Sequence, residues 1–234
     1  MKKENADNLS IKTVLVGETG VGKTSIIKQF AKNEFDPECT SSICCHYNSK
    51  TIYIKQIEKE IKFDLWDTAG QEIYRSLARI FYKDAKIIIF VYDITNKKSF
   101  EGIQKYWYKQ ILANSDKDTI LGLVGNKSDL YNFQVIDDEE AIKYAESIGA
   151  IFQTTSAKTN IGINTLFKNI ARKLIDPNFD YKKEEENEKQ LYNIKKENKS
   201  KKEEELFDEN ENTSISSVKL YKESIQKQQQ RKCC

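Results

Sequence analysis

The chain has 234 residues, with 38 Lys or Arg against 36 Asp or Glu for a formal net charge of +2, and 38% hydrophobic content. That is enough apolar chain for one core of ordinary size followed by something less ordered, and the near-neutral balance argues against nucleic acid as the main partner. No apolar run approaches transmembrane length, the longest being Ile87 to Tyr92, and Met1-Lys2-Lys3-Glu4 is too polar for a signal peptide and lacks the glycine needed for myristoylation, so the cytosol is the expected compartment.

The first predicted element is a strand over Ile11–Val16. It runs into Gly17-Glu18-Thr19-Gly20-Val21-Gly22-Lys23-Thr24, the pattern G-x-x-x-x-G-K-[ST], and a helix is predicted over Lys23–Lys32. Glycines let backbone N–H groups approach phosphate oxygens that a Cβ would crowd. Lys23 can reach the β and γ phosphates, and the Thr24 hydroxyl can take a place on Mg²⁺. The candidate phosphate-binding residues are therefore Gly17, Glu18, Thr19, Gly20, Val21, Gly22, Lys23, Thr24 and Ser25. A glycine-rich turn without a ligand is the plainer reading, and three further motifs in order weigh against it.

Five cysteines follow no spaced framework: Cys39, Cys44 and Cys45 share one loop, and Cys233 and Cys234 end the chain. Zinc at Cys39, Cys44, Cys45 and His46 is disfavoured, because adjacent cysteines chelate one tetrahedral ion poorly. Strands are predicted over Thr51–Ile57 and Ile61–Trp66, with Glu58-Lys59 as a hairpin and one strand antiparallel. Period two puts Ile61, Phe63 and Leu65 on one face. Trp66 then shares the polar face with Lys62 and Asp64, the mark of a contact site.

That strand leads into Asp64-Leu65-Trp66-Asp67-Thr68-Ala69-Gly70-Gln71-Glu72. Asp67 can hold Mg²⁺ through water, Gly70 offers an N–H to the γ phosphate, and Gln71 can orient an attacking water. A strand over Lys86–Asp93 and a helix over Ser99–Leu112 precede the apolar strand Ile120–Gly125. Next comes Asn126-Lys127-Ser128-Asp129. Guanine presents two adjacent donors, N1–H and its exocyclic amine, and a carboxylate such as Asp129 accepts both. Adenine presents an acceptor there, and the mismatch would leave buried polar groups unpaired. Asn126 suits the Hoogsteen edge, and the Lys127 stem can lie along the ring.

A helix over Asp138–Ile148 and a strand over Ile151–Thr154 lead to Thr155-Ser156-Ala157-Lys158, where the Ala157 N–H would meet guanine O6. A helix over Ile163–Leu174 completes the series. Strands alternating with helices imply an α/β fold: a mostly parallel sheet of six strands, covered on both faces, with ligands beyond the carboxyl ends of its strands.

From residue 176 the composition changes. Thirteen Lys or Arg stand against 14 Asp or Glu with no glycine, a mixture that cannot bury enough surface to offset chain entropy. The expectation is a flexible tail over 176–234; Leu191, Ile194, Leu206 and Phe207 give no sustained coiled-coil heptad.

With four motifs in family order and spacing, the chain resembles the Ras-superfamily small GTPases, most closely the Rab family, over about residues 8–175. Phe81-Tyr82-Lys83-Asp84-Ala85 and Val91-Tyr92-Asp93-Ile94-Thr95 also look like Rab segments, and Tyr144 to Ala150 is similar to endosomal Rabs. The resemblance implies a P-loop NTPase G domain over 8–175, with GTP or GDP as ligand and Mg²⁺ as cofactor. It implies a switch that hydrolyses GTP slowly and recruits effectors when GTP-bound in vesicle trafficking.

The same resemblance implies that Phe35 packs at the base. Ser42-Ile43-Cys44 stands where the family reads Thr-Ile-Gly; Ser42 keeps the Mg²⁺-binding oxygen but loses the stiff β-branch. Tyr47, Trp66 and Phe81 resemble the aromatic triad that Rab effectors touch. Cys233 and Cys234, after Arg231-Lys232, resemble the dicysteine ending that receives two geranylgeranyl groups, giving an anchor on the cytoplasmic face of intracellular, endosomal membranes with a cytosolic pool. Implied partners are effectors, an exchange factor, a GTPase-activating protein, a GDP-dissociation inhibitor and a prenylation escort protein, with the chain itself a monomer. The alternative is a weakly hydrolysing, nucleotide-loaded membrane scaffold; Ser42-Ile43-Cys44 favours it and Gln71 opposes it. An ATP-using P-loop kinase is excluded by Asp129 and the lack of a lid segment.

Overall fold

The computed structural model describes residues 9–38, 46–55, 58–67, 82–183 and 186. The chain divides into two compact units, Met1–Phe179 and Asp180–Cys234. The first holds a six-stranded sheet in the order β2-β3-β1-β4-β5-β6, built from Leu9–Val16 (β1), His46–Ile54 (β2), Lys59–Asp67 (β3), Ile87–Asp93 (β4), Ile120–Asn126 (β5) and Ile151–Thr154 (β6). Every neighbouring pair is parallel except β2 with β3, which is the expected hairpin.

Parallel strands need helical crossovers, and these cover both faces of the sheet. On one side lie α1 (Lys23–Lys32) and α5 (Ile163–Ile175). There Phe30 stacks on Phe167 at 3.6 Å between ring centroids, and Phe63 of β3 meets Phe167 edge-on at 5.2 Å. On the other side lie α2 (Lys97–Gly102), a π-helical turn (Ile103–Trp107), α3 (Tyr108–Leu112) and α4 (Asp138–Ser147). Their residues Phe100, Ile103, Trp107, Ile111, Ala141 and Ala145 bury against Val14, Val16, Ile88, Phe90 and Leu123 of the sheet. β4 is buried at every position, as a central strand covered on both faces must be.

Four differences from the sequence reading concern where elements begin and break. The second strand begins at His46 rather than Thr51, because its exposed edge residues pair in register with β3, His46 opposite Asp67 and Lys50 opposite Phe63. The helix expected from Ser99 starts at Lys97, where the Asn96 side chain accepts from the Lys98 N–H as a cap. It is also broken by the π turn, in which Tyr108 N–H donates to the Ile103 carbonyl five residues back. A 3₁₀ helix over Ser128–Phe133, which was not anticipated, follows β5. After α5, Lys173 Nζ donates to the Pro177 and Phe179 carbonyls at 2.6 and 3.2 Å. The Arg172 guanidinium lies 4.2 Å over the Phe179 ring, and these contacts tie the chain down as far as Phe179.

Candidate functional site

The four motifs meet because each follows the carboxyl end of a strand on one edge of the sheet. The glycine-rich loop leaves β1, Asp67 ends β3, Asn126 ends β5, and Thr155 to Lys158 follow β6. In the loop, Gly17 has φ 149 and a Cβ there would lie 2.2 Å from the Val91 carbonyl oxygen. Gly22, at φ 97, would put a Cβ 2.3 Å from Asn126 Nδ2. Both positions therefore exclude any side chain, the first because the loop runs over β4 and the second because a distant motif reaches in. Val21 is buried, Glu18 half-buried, and Thr19 and Gly20 are exposed; Ser25 is half-buried in the first turn of α1.

Lys23 is 5% exposed, and its ammonium donates to the Gly17 and Glu18 carbonyls at 3.0 and 2.9 Å. Burial pushes its pKa from 10.5 down to about 8, with Asp67 and Glu18 pulling it back up. At the next residue, the Thr24 hydroxyl donates to Asp67 Oδ2 at 2.6 Å. Two hard oxygen donors side by side, one of them a carboxylate, are the donor chemistry that suits Mg²⁺. The donor set therefore fits the metal.

At the other end of the site, Asn126 acts as a brace. Its Nδ2 donates to the Val21 carbonyl at 2.8 Å, and its Oδ1 accepts from the Thr155 hydroxyl at 3.1 Å. One buried amide so ties the phosphate loop to the fourth motif. Ser156, also buried, donates its hydroxyl to Asp129 Oδ1 at 2.6 Å and accepts the Thr159 N–H at 3.1 Å, which fixes the carboxylate's direction. Ala157 is buried and Lys158 exposed. Phe35, expected at the base, stands 39% exposed beyond α1.

Lys127 has a partner that the sequence reading did not name. Its ammonium pairs with Asp93 Oδ2 at 2.7 Å. Sequence reasoning gave no role to Asp93 or to Trp107, whose indole N–H donates to Glu18 Oε1 at 3.2 Å, and quoted Thr155 only as the opening of the fourth motif. The signal for Asp93 was a charge closing an otherwise uncharged, fully buried strand; for Thr155 it was its place in the fourth motif, and for Trp107 the sequence held none.

Next to Asp67, where β2 pairs with the end of β3, Tyr47 is 52% exposed and Trp66 half-buried, their rings 5.7 Å apart and edge-on, with Lys12 Nζ 5.4 Å over the indole. The Tyr47 hydroxyl donates to Asp64 Oδ1 at 2.7 Å. Trp66 thus lies on the face the period predicted and is steadied by its neighbours. Ser42, Ile43, Cys44, Gly70, Gln71, Phe81, Cys233 and Cys234 lie outside the described residues. Among the described residues no helix is long and apolar enough to cross a membrane.

Comparison with known proteins places this geometry. A family model described as Ras family matches residues 12–176. The chain is 41% identical over 164 residues to the Ras-related protein Rab5A of Oryza sativa subsp. japonica, covering 70% of this chain and 79% of that protein. It is 40% identical over 165 residues to human Ras-related protein Rab-22A, covering 70% and 83%. Against Ras-related protein RABF2b of Arabidopsis thaliana it is 38% identical over 167 residues, covering 71% and 82%.

Proposed function

The chain belongs to the Ras family of small GTPases, among its Rab proteins, and on that premise we propose a residue-by-residue account of how it binds GTP, hydrolyses it and works as a membrane-associated switch in vesicle trafficking. The observation that carries the account is the Asn126 brace. One side chain joins the phosphate loop at Val21 to the base-reading motifs at Thr155, so phosphate and base are gripped by one connected frame.

The loop from Gly17 to Thr24 turns its N–H groups toward the phosphates, and Lys23 exchanges its carbonyl partners for phosphate oxygens. Thr24, Asp67 and Ser42 would hold Mg²⁺, which supplies positive charge beside the phosphates. Asp129, aimed by Ser156, accepts the two guanine donors, and the Ala157 N–H meets O6. Gln71 orients the attacking water and Gly70 donates to the γ phosphate, so catalysis is mostly positioning and electrostatic stabilisation. No arginine stands at the loop position that is catalytic in some GTPases, so a GTPase-activating partner completes the site. Gln71 speaks against a scaffold that does not hydrolyse.

Tyr47, Trp66 and Phe81 form the surface that effectors read. Cys233 and Cys234 carry two geranylgeranyl groups, two lipids being what stable anchoring requires. The monomer then shuttles between the cytoplasmic face of endosomal membranes and a cytosolic pool, served by an exchange factor, a GDP-dissociation inhibitor and an escort protein. The test is nucleotide binding with single-turnover hydrolysis. GTP and GDP should bind far more tightly than ATP, and Gln71→Leu should leave binding intact while slowing turnover. Equal affinity for ATP would overturn the account.

A further inference from the structure

Asp93 is a charge where the fold gives little reason for one. It closes β4, a strand buried throughout, and is itself 7% exposed. Such a carboxylate persists only if its oxygens are well partnered. Here Oδ1 accepts from both the N–H and the hydroxyl of Thr95, at 2.8 and 2.7 Å, and Oδ2 takes the Lys127 ammonium at 2.7 Å.

The partner is placed with equal constraint. Lys127 adopts φ 68 and ψ 38, the left-handed region that side chains other than glycine rarely enter. It stands between Asn126 and Asp129, and Asp93 lies opposite Asn126 in the β4–β5 register. The Ile94 N–H donates to the Asn126 carbonyl at 3.1 Å, so the two strand ends are joined directly. Its ammonium held by Asp93, Lys127 has its far end fixed and its methylene stem left to lie along a ligand. A lysine stem is among the most mobile side chains, and fixing it beforehand removes an ordering cost from binding.

We propose that Asp93 is a positioning residue of the guanine site: by holding the Lys127 ammonium, it lays the lysine stem as a rail alongside the base, between Asn126 and Asp129. The inference rests on the guanine-nucleotide reading above and deepens it. Asp93 touches no part of the nucleotide and acts through Lys127 alone.

The test is the release rate of a fluorescent GDP analogue from wild type, Asp93→Asn, Lys127→Met, Lys127→Arg and the Asp93→Asn/Lys127→Met double variant, each checked for folding by its thermal melt. Asparagine keeps the oxygen that Thr95 uses and puts an amide NH₂, a donor, where the Lys127 ammonium needs an acceptor. Asp93→Asn should speed release by roughly tenfold, the weight of one charge-assisted contact. Lys127→Met should do the same, and the double variant should release no faster than Lys127→Met. Lys127→Arg, which can still pair with Asp93, should release the analogue more slowly than Lys127→Met, and this comparison holds even if Asp93→Asn folds poorly. A similar gain from Asp93→Asn in both backgrounds, or release from Lys127→Arg as fast as from Lys127→Met, would overturn the proposal. Wild-type protein that holds ADP as firmly as GDP would instead overturn the guanine reading and the proposal with it.

Discussion

The indole N–H of Trp107 donates to Oε1 of Glu18 at 3.2 Å, a hydrogen bond between residues 89 apart that ties the π turn to the phosphate-binding loop. Gly102 makes room for it. A Cβ at that position would lie 2.7 Å from the same oxygen and 3.2 Å from Glu18 Cγ.

Gly102→Ala therefore sets two effects against each other. Alanine gains up to about 1 kcal/mol in helix propensity, while pushing the carboxylate off Trp107 loses a hydrogen bond of similar size, about 1 kcal/mol. In wild type the stability change should be near zero or negative. In a Glu18→Ala background the clash is absent, and the substitution should stabilise by roughly 0.5–1 kcal/mol. Denaturant unfolding of the four proteins decides it; the same change in both backgrounds would mean the contact does not constrain the loop.

Lys23 makes the nucleotide-free protein sensitive to alkaline pH. Burial lowers its pKa from 10.5 to about 8, so the folded state holds fewer protons than the unfolded state between those values. Stability should therefore be lowest below about pH 8 for this group, and rise as the pH climbs toward about 10.5, by up to about 3 kcal/mol. Lys23→Met should remove that slope. Phosphate charge restores the ammonium, so binding near pH 9 should take up about one proton, and affinity should fall as pH rises through about 8. Calorimetry in buffers of different ionisation enthalpy measures the uptake; none at all would show that Lys23 stays charged without nucleotide.

Asp129→Asn should shift base preference from guanine to xanthine. The Ser156 hydroxyl can still donate to the amide oxygen, so the side chain keeps its direction and changes only its donor–acceptor pattern. The preference for xanthosine over guanosine triphosphate should change by roughly 2–4 kcal/mol. Competition binding with both nucleotides reads it. A variant that loses both equally would place Asp129 in the frame of the site rather than at the base.

Replacing Cys233 and Cys234 together with serine should release the protein from membranes and leave nucleotide binding unchanged, since the binding residues end at Lys158. A single lipid chain gives marginal, reversible attachment, so each single variant should float weakly rather than at half strength. Retention of the double variant on vesicles in a flotation assay would put the anchor elsewhere.

What could be read in the chain itself was whatever repeats over a few residues. The bounds Lys23–Lys32 follow from a glycine before the helix and Asn33 in the left-handed region after it. Period two in Ile61, Phe63 and Leu65 set which way Trp66 would face, and the glycine spacing announced the phosphate loop. The start of β2 at His46 left no such trace, because its exposed residues alternate weakly and their register comes from β3. The contacts that turn four motifs into one site were likewise out of reach: Asn126 with Val21 is 105 residues apart, Trp107 with Glu18 is 89, and Lys127 pairs with Asp93 across two strands. A side chain's rotamer and partner depend on which strands lie next to each other, and strand order is decided by burying the whole sheet at once between two layers of helix. Local period therefore chose the elements and the chemistry they carry, and only the packed sheet chose which of those residues would hold one another in place.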